Sequence, residues 1–265
     1  RTFSSAASDV YKRQVEDGGS IYDLVALLVR NTAYERVGSL DRANFQVRRI
    51  LRSFAQANPA ARSKRNVAHH YDLSDALYAL FLDKNRQYSC GYFADPSMSL
   101  EQAHLAKLDH ISKKLMAGPE HRVLDIGCGW GGLAMHIAET TGAQVTGITL
   151  SEEQHAYATA KARERGLADR VTFHLRDYRN ETGTYDRIVS VGMFEHVGVP
   201  NYDAYFECIR DRLSQRGIAM MHTIVQAHLP WPTNPWLMKY IFPGGYCPAV
   251  SEVLRSIEKL GLWTT

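Results

Sequence analysis

The chain has 265 residues, 45% of them hydrophobic, and a formal net charge of +3. This length suits one sizeable domain with an accessory segment. No apolar run approaches the roughly 18 residues of a membrane span, and we find no signal peptide with an apolar core. The four cysteines show no Cys-x-x-Cys spacing, which argues against a zinc site or a disulfide framework and predicts a reducing, cytoplasmic setting.

Positive charge is concentrated near the N-terminus. Residues 1–14 show no clear period and form an unassigned tail, whereas residues 15–65 are predicted to form a basic helical segment. Within 30–65, nine Arg or Lys stand against two acidic residues, which gives +7 and leaves −4 for the rest of the chain. Such a helix could lie on an anionic membrane, where each basic side chain adds about 1 kcal/mol. A solvated basic face with its apolar side on the core explains the pattern equally well.

A helical region is predicted between this segment and the main domain, which we place at 66–265. A helix starts near Asp72 or Ser74 and leads into an aromatic-rich loop that ends at residue 93. The following helix is marked by an apolar stripe and stops at Gly118-Pro119. The stripe consists of Leu105, Leu108, Ile111 and Leu115.

Strands and helices then alternate along the chain. Strands are predicted over 122–126, 144–149, 171–175, 185–191 and 217–225, and helices over 131–140, 152–165, 202–213 and 251–260. This alternation indicates an α/β fold with a mostly parallel sheet and helices on both faces. We expect the sheet to be truncated before its last strands, because a further strand would begin near residue 262. Such sheets bind ligands beyond the carboxyl ends of their strands.

The first strand runs into a glycine-rich turn. Asp125 precedes Gly127, Gly129, Gly131 and Gly132, and a helix follows. Glycine lets the backbone turn sharply and approach a ligand, and the N–H groups at the helix start can face that ligand. The turn therefore predicts a nucleotide-like ligand.

The glycine spacing alone does not identify the nucleotide. Gly127-x-Gly129-x-x-Gly132 also satisfies the dinucleotide pattern. However, the strand over 144–149 ends without the carboxylate that a dinucleotide ribose requires. Asp125, just before the first glycine, suits a ligand with an amino group. The pattern Asp-x-Gly-x-Gly-x-Gly resembles motif I of class I S-adenosylmethionine methyltransferases, which have a Rossmann-like fold.

Several further segments resemble one family, the cyclopropane-fatty-acyl-phospholipid synthases and related mycolic acid cyclopropane synthases. The most specific are Tyr-Ser-Cys at 88–90, Met-Phe-Glu-His-Val-Gly at 193–198 and His-Thr-Ile at 222–224. Others lie at 66–74, 123–132, 147–154, 177–179 and 239–245, so that the resemblance covers roughly residues 15–263.

The resemblance implies a reaction on membrane lipids. A methyl group of S-adenosylmethionine would be added to the cis double bond of an unsaturated phospholipid acyl chain and become the methylene bridge of a cyclopropane ring. Bound bicarbonate would take the proton released on the way. The enzyme would be cytoplasmic and peripherally associated with the inner membrane, with a homodimer possible and no nucleic-acid partner.

The family's functional residues can be matched to positions in this chain. The catalytic set would be Glu195 and His222 with the backbone N–H groups of Cys90 and Ile224. The cofactor-binding set would be Tyr88, Ser89, Asp125, Gly127, Gly129, Thr149, Leu150, Gln154, Asp177 and Tyr178. The family's anion-binding tyrosine would lie beyond Thr265. Gln154 also follows Ser151 at capping-box spacing, so that it is expected to cap a helix as well.

Two alternatives remain open at this stage. The enzyme could stop at methylation and give a methyl-branched acyl chain. Alternatively, the chain could be a non-catalytic fragment that binds S-adenosylmethionine or lipid, a possibility raised by the missing tyrosine.

Overall fold

A computed structural model describes residues 20–32, 75–227, 230–231, 233, 236, 238 and 242–264. The chain divides into two compact units, Arg1–Arg48 and Arg49–Thr265. In the first unit, helix α1 (Ile21–Thr32) starts where the Ser20 hydroxyl accepts from the Asp23 backbone N–H at 3.1 Å. The rest of the predicted basic helical segment over 15–65 and the predicted helix start near Asp72 or Ser74 lie outside the described residues.

The second unit contains a five-stranded parallel sheet in the order β3-β2-β1-β4-β5. Its strands are β1 (Arg122–Ile126), β2 (Gln144–Thr149), β3 (Val171–Leu175), β4 (Tyr185–Val191) and β5 (Leu213–His222). The predicted bounds of the first four strands are confirmed. After β3 the chain returns to place β4 against the other side of β1, so that the strand order reverses between β1 and β4. Ligands of open α/β sheets bind at such a switch point.

The predicted bounds of the last strand are wrong at both ends. We expected 217–225, but β5 begins at Leu213, directly after a helix, and pairs there with Tyr185. An irregularity in the β4–β5 register between Tyr185 and Arg187 accommodates this early start. The strand ends at His222 because the backbone then turns toward Glu195, to which Ile224 donates a hydrogen bond.

Helices cover both faces of the sheet, as predicted. They are α2 (Asp75–Ala79), α3 (Leu100–Leu115), α4 (Gly132–Thr141), α5 (Glu152–Glu164), α6 (Tyr202–Arg212) and α7 (Val250–Lys259). Helices α3, α4 and α5 share one buried cluster, which Val123 joins from β1. Helices α6 and α7 share the other, to which β1 contributes Leu124. Alternate residues of β1 therefore point into opposite cores, as expected for a strand covered on both faces.

Helix α3 lies beside the glycine-rich turn and shows one error in the predicted stripe. Its N-terminus is closed by a capping box between Ser99 and Gln102. Leu108, Ile111 and Leu115 are fully buried as expected, but Leu105 is 47% exposed. The buried stripe instead includes His104 and Lys107. In the parts of the chain that the structure describes, no helix is long and apolar enough to cross a bilayer.

Candidate active site

A cleft lies at the carboxyl ends of β1 and β4, where the strand order reverses. It holds about 550 Å³ of empty space, part of it open solvent. Its walls come from the loop before α3, the glycine-rich turn, α5 and the end of β4. The lining residues are Arg86, Gln87, Tyr88, Ser89, Asp125, Gly127, Cys128, Gly129, Trp130, Gly132, Leu133, Gln154, Val191 and Gly192.

Asp125 presents an unsatisfied carboxylate oxygen to this cleft. The residue is 2% exposed, and burial raises its pKa from 3.8 to about 7. Its Oδ2 atom is buried and has no hydrogen-bond partner within the described chain. A buried acid of this kind favours a ligand that carries a positive charge or an N–H donor at this point.

The glycines of the turn serve different purposes. A β-carbon on Gly127 would lie 2.6 Å from Met193 Cγ, and one on Gly131 would lie 2.5 Å from Phe173 Cζ. On Gly132 it would lie 2.2 Å from the Asn85 carbonyl oxygen. These three glycines therefore make room for the protein's own packing. Gly129 differs, because its β-carbon would meet no described atom within 4 Å; it adopts φ +55° beside the open cleft.

Part of the backbone of the turn is committed to internal hydrogen bonds. The N–H groups of Gly127 and Cys128 both donate to the Ile148 carbonyl at 3.0 Å, and Gly131 donates to Cys128 at 2.9 Å. These three N–H groups bind carbonyl groups of the protein, whereas the N–H groups that we expected to face a ligand are those at the start of the helix that follows. Helix α4 begins after Gly131, which provides no side-chain cap.

The start of α5, shortly after β2, contributes Gln154 to the cleft. Gln154 is 5% exposed, and its backbone N–H donates to Ser151 Oγ at 3.2 Å, so that Ser151 caps α5 at the predicted spacing. The Gln154 side chain, which we also expected to cap this helix, contacts Thr149 instead. Thr149 Oγ1 donates to Gln154 Oε1 at 2.9 Å and so fixes the orientation of the amide. Thr149 and Leu150 do not line the cleft themselves.

Asp177 and Tyr178, expected at the adenine edge, also lie away from the cleft lining. Both Asp177 oxygens accept from the Arg179 guanidinium, at 2.8 and 2.6 Å. Tyr178 packs edge-on against Tyr205 with 5.3 Å between ring centroids, and burial raises the pKa of Tyr178 to about 12. In this structure Asp177 caps a short 3₁₀ turn (Tyr178–Asn180), and Tyr178 packs against the core behind it.

The predicted catalytic pair follows β4 and ends β5. Glu195 lies in a short 3₁₀ turn (Phe194–His196) and accepts from the Ile224 N–H at 2.7 Å through Oε1. Its Oε2 atom and Nδ1 of His222 are both buried, with no hydrogen-bond partner among the residues described. The Ile224 N–H, which we expected to bind an anion, is therefore held by Glu195 in this structure.

The loop that carries Cys90 approaches the same strand end. A β-carbon on Gly192, the residue after β4, would lie 4.0 Å from Ser89 Cβ. Cys90 follows Ser89 and its side chain is exposed. From the opposite direction, Tyr246 donates its N–H to the Glu195 carbonyl at 2.8 Å. Three segments distant in sequence thus meet around the end of β4.

Sequence reasoning missed several residues of the site. Arg86, Gln87, Val191 and Gly192 line the cleft beside the predicted residues. Gly192 carried a usable signal, since it follows β4 just as Gly127 follows β1.

The sequence of the chain is similar to those of known proteins. The family model described as mycolic acid cyclopropane synthetase matches residues 59–265. Cyclopropane-fatty-acyl-phospholipid synthase from Escherichia coli K12 is 47% identical over 189 residues, which are 71% of this chain and 48% of that protein. A probable fatty acid methyltransferase from Pseudomonas putida is 39% identical over 203 residues, 74% of this chain and 52% of that protein. The chain thus spans about half the length of these curated relatives.

A solved structure agrees with these sequence matches. The mycolic acid cyclopropane synthase CmaA1, in complex with SAH and CTAB, superposes with a TM-score of 0.73 at 33% identity, covering 79% of this chain and 77% of that one. This similarity confirms the predicted methyltransferase fold. The chain belongs to the mycolic acid cyclopropane synthetase family.

Proposed function

We propose that this chain transfers a methylene group from S-adenosylmethionine to the cis double bond of an unsaturated phospholipid acyl chain. The observation that carries the proposal is a set of buried, unpartnered polar atoms at adjacent strand ends. They are Asp125 Oδ2 near the end of β1, Glu195 Oε2 after β4 and His222 Nδ1 at the end of β5. Unpaired polar atoms at these depths cost free energy, which a ligand that pairs with them recovers.

The cleft suits the methyl donor. S-adenosylmethionine supplies an electrophilic methyl group on a sulfonium. Asp125 would pair with the ammonium of its amino-acid end, Tyr88 and Ser89 would contact the same end, and Gly127 and the open Gly129 would pass near the methionine and ribose. Gln154 would bind the ribose and adenosine, with Thr149 and Leu150 supporting it. Asp177 and Tyr178 remain proposed for the adenine edge, which they would reach from behind the cleft.

The end of β4 and β5 suits the second half of the reaction. An alkene has no acidic proton, so the first step needs an in-line methyl group and exclusion of water. The methyl carbon–sulfur bond breaks as a carbon–carbon bond forms; a proton then leaves the added methyl group and the ring closes. Bicarbonate held by Glu195, His222 and the N–H groups of Cys90 and Ile224 would supply the base. For Ile224 this requires sharing the N–H that Glu195 holds.

Two further points concern the substrate. The name of the Escherichia coli relative supports a phospholipid acyl chain as the substrate. We therefore propose that the enzyme is cytoplasmic and works at the inner membrane surface. The name of the Pseudomonas putida relative supports a second candidate, transfer of a methyl group to give a branched chain. Both candidates use the same cofactor cleft and differ in whether the final proton loss closes a ring.

The test incubates the full chain with labelled S-adenosylmethionine and vesicles of mono-unsaturated phospholipid, with and without bicarbonate. We expect label in the acyl chains, ring protons in the product's NMR spectrum, and a slower reaction once bicarbonate is removed. Branched product without ring protons would favour the second candidate. Binding of S-adenosylhomocysteine without any acyl labelling would contradict both enzymatic functions and indicate a binding fragment.

A further inference from the structure

We propose that Lys107 is a positioning residue that holds the 86–89 loop with its hydrogen-bond donors directed into the cleft, so that this loop binds the carboxylate of the methyl donor's amino-acid end. The inference deepens the proposed function and rests on it. Lys107 lies on α3, behind the loop rather than in the cleft lining.

The contacts of the ammonium group are well defined. Lys107 is 4% exposed, and its Nζ donates to Gln87 Oε1 and to Ser89 Oγ, both at 2.7 Å. Gln87 and Ser89 both line the cleft. One buried cation therefore contacts two side chains that a ligand would also contact.

The direction of these bonds decides what the loop offers to a ligand. A lysine ammonium only donates, so Ser89 Oγ accepts from it and must direct its own hydrogen elsewhere. Gln87 accepts through Oε1 and donates one Nε2 hydrogen to the Asn85 carbonyl at 3.2 Å, so its amide orientation is fixed. The loop can then present donors to the cleft, whereas Asp125 presents an acceptor. This polarity matches a zwitterionic amino acid, with Asp125 on the ammonium and the loop on the carboxylate.

Other contacts anchor the loop to the same helix. His104 Nε2 donates to the Ser89 carbonyl at 3.1 Å, and Tyr92 N–H donates to the Ala103 carbonyl at 2.9 Å. Asp83 accepts from the backbone N–H of Gln87 at 2.6 Å. The backbone of the loop is thus held independently of Lys107, which leaves Lys107 to orient the two side chains.

The charged surroundings of Lys107 make its effect dependent on pH. Burial lowers the pKa of Lys107 to about 8, against the opposing influence of Asp83 and Cys90 on the loop. His104 lies on the same face of α3. A neutral amine has a lone pair and can accept a hydrogen bond from the Ser89 hydroxyl. The hydrogen of this hydroxyl would then point toward Lys107 and away from the cleft. The loop is therefore expected to lose its preference for a carboxylate as the pH rises through about 8.

The test compares two probes by calorimetry on the full chain at pH 7. S-adenosylhomocysteine carries the amino-acid end, and 5′-methylthioadenosine lacks it. For Lys107→Met we expect a loss of affinity for S-adenosylhomocysteine of roughly ten- to a hundredfold, with 5′-methylthioadenosine within about twofold of wild type. Lys113→Met, an exposed lysine on the same helix, should change neither.

Each outcome bears on a different proposal. Equal losses for both probes, or no loss for S-adenosylhomocysteine, would overturn the role of Lys107 while leaving the proposed function intact. Absence of S-adenosylhomocysteine binding in the wild type would overturn both.

A pH series tests the same role without requiring Lys107→Met to fold. We take the ratio of the affinity for S-adenosylhomocysteine to the affinity for 5′-methylthioadenosine. In the wild type this ratio should fall near pH 8, in addition to any fall caused by deprotonation of the amine of S-adenosylhomocysteine itself. Lys107→Arg stays charged and should show only the ligand's contribution. A wild-type ratio that is flat through pH 8 would contradict the proposal.

Discussion

The two ends of the candidate site are built differently. At the cofactor end, around the turn after β1, Asp125 is 2% exposed and β-carbons on Gly127, Gly131 and Gly132 would collide with neighbouring residues. At the other end, around β4 and β5, Ile224 is 54% exposed, and its backbone N–H donates to Glu195. The first end is closely packed, and the second is more open.

Because of this difference, we expect one end to determine cofactor binding and the other to determine the rate of the reaction. The cofactor end obtains its shape from the packing of the sheet, α3 and α4, so that it is preorganised for one ligand. The reacting end depends on a few polar atoms, among them Glu195 Oε2 and His222 Nδ1, whose partners would arrive with the substrate. Variants at the two ends should therefore fail in different assays.

The largest effect is expected at the reacting end, from Glu195→Gln. The amide keeps the shape but loses the charge, so we expect a fall in turnover of roughly a hundred- to ten-thousandfold, typical of removing acid–base machinery. Affinity for S-adenosylhomocysteine should stay within about twofold, as read by calorimetry. Glu207→Gln, an exposed glutamate on α6, is the matched control. Turnover by Glu195→Gln at the wild-type rate would contradict the proposed anion site.

The next largest effect is expected at the cofactor end, from Asp125→Asn. The amide cannot neutralise the ligand's ammonium, so affinity for S-adenosylhomocysteine should fall by roughly a hundredfold or more. In the wild type, the affinity should also weaken as the pH falls below about 7, because the acid must then release a proton to bind the cation. Calorimetry in buffers of different ionisation enthalpy measures that proton.

Stability should respond to Asp125→Asn in the opposite direction. The folded-state pKa of about 7 exceeds the unfolded value near 3.8, so the stability present at low pH is lost as the pH rises through that interval. The ligand-free variant should therefore melt at a higher temperature than wild type at pH 8 and at a similar temperature at pH 4. Asp169→Asn, an exposed position, serves as control. Unchanged melting at pH 8 would contradict the burial cost.

The smallest effect tests the packing of the cofactor end through Gly132→Ala. Alanine favours the helix by up to about 1 kcal/mol, but its β-carbon would lie 2.2 Å from the Asn85 carbonyl, and overpacking of this kind costs about 1–3 kcal/mol. We expect a modest drop in melting temperature and weaker cofactor binding, because the 85–87 loop must shift. Gly129→Ala, with open space but φ +55°, separates backbone strain from collision. A Gly132→Ala variant as stable and as tight-binding as wild type would contradict this account.

The sequence predicted the sheet well where the signal is local. Strands β1 to β4 were placed at their observed bounds, because each is a short segment with two or more apolar strand-forming residues between turn residues. The prediction failed at β5, whose early start depends on pairing with Tyr185 in a neighbouring strand. Leu105 was misplaced for a similar reason, since the buried face of α3 is decided by the loop that packs on it.

For the site, the sequence by itself determined which chemistry is present: an acid before a glycine turn after β1, and a glutamate and a histidine after β4 and in β5. These follow from residue type and position along the chain. Only the tertiary structure decided how they are used. It assigns three turn glycines to internal packing, gives the Ile224 N–H to Glu195, and places Lys107 behind Ser89. Such contacts join residues that are far apart in sequence. The distances between these residues are set by the packing of the whole sheet, so a local sequence pattern cannot predict them.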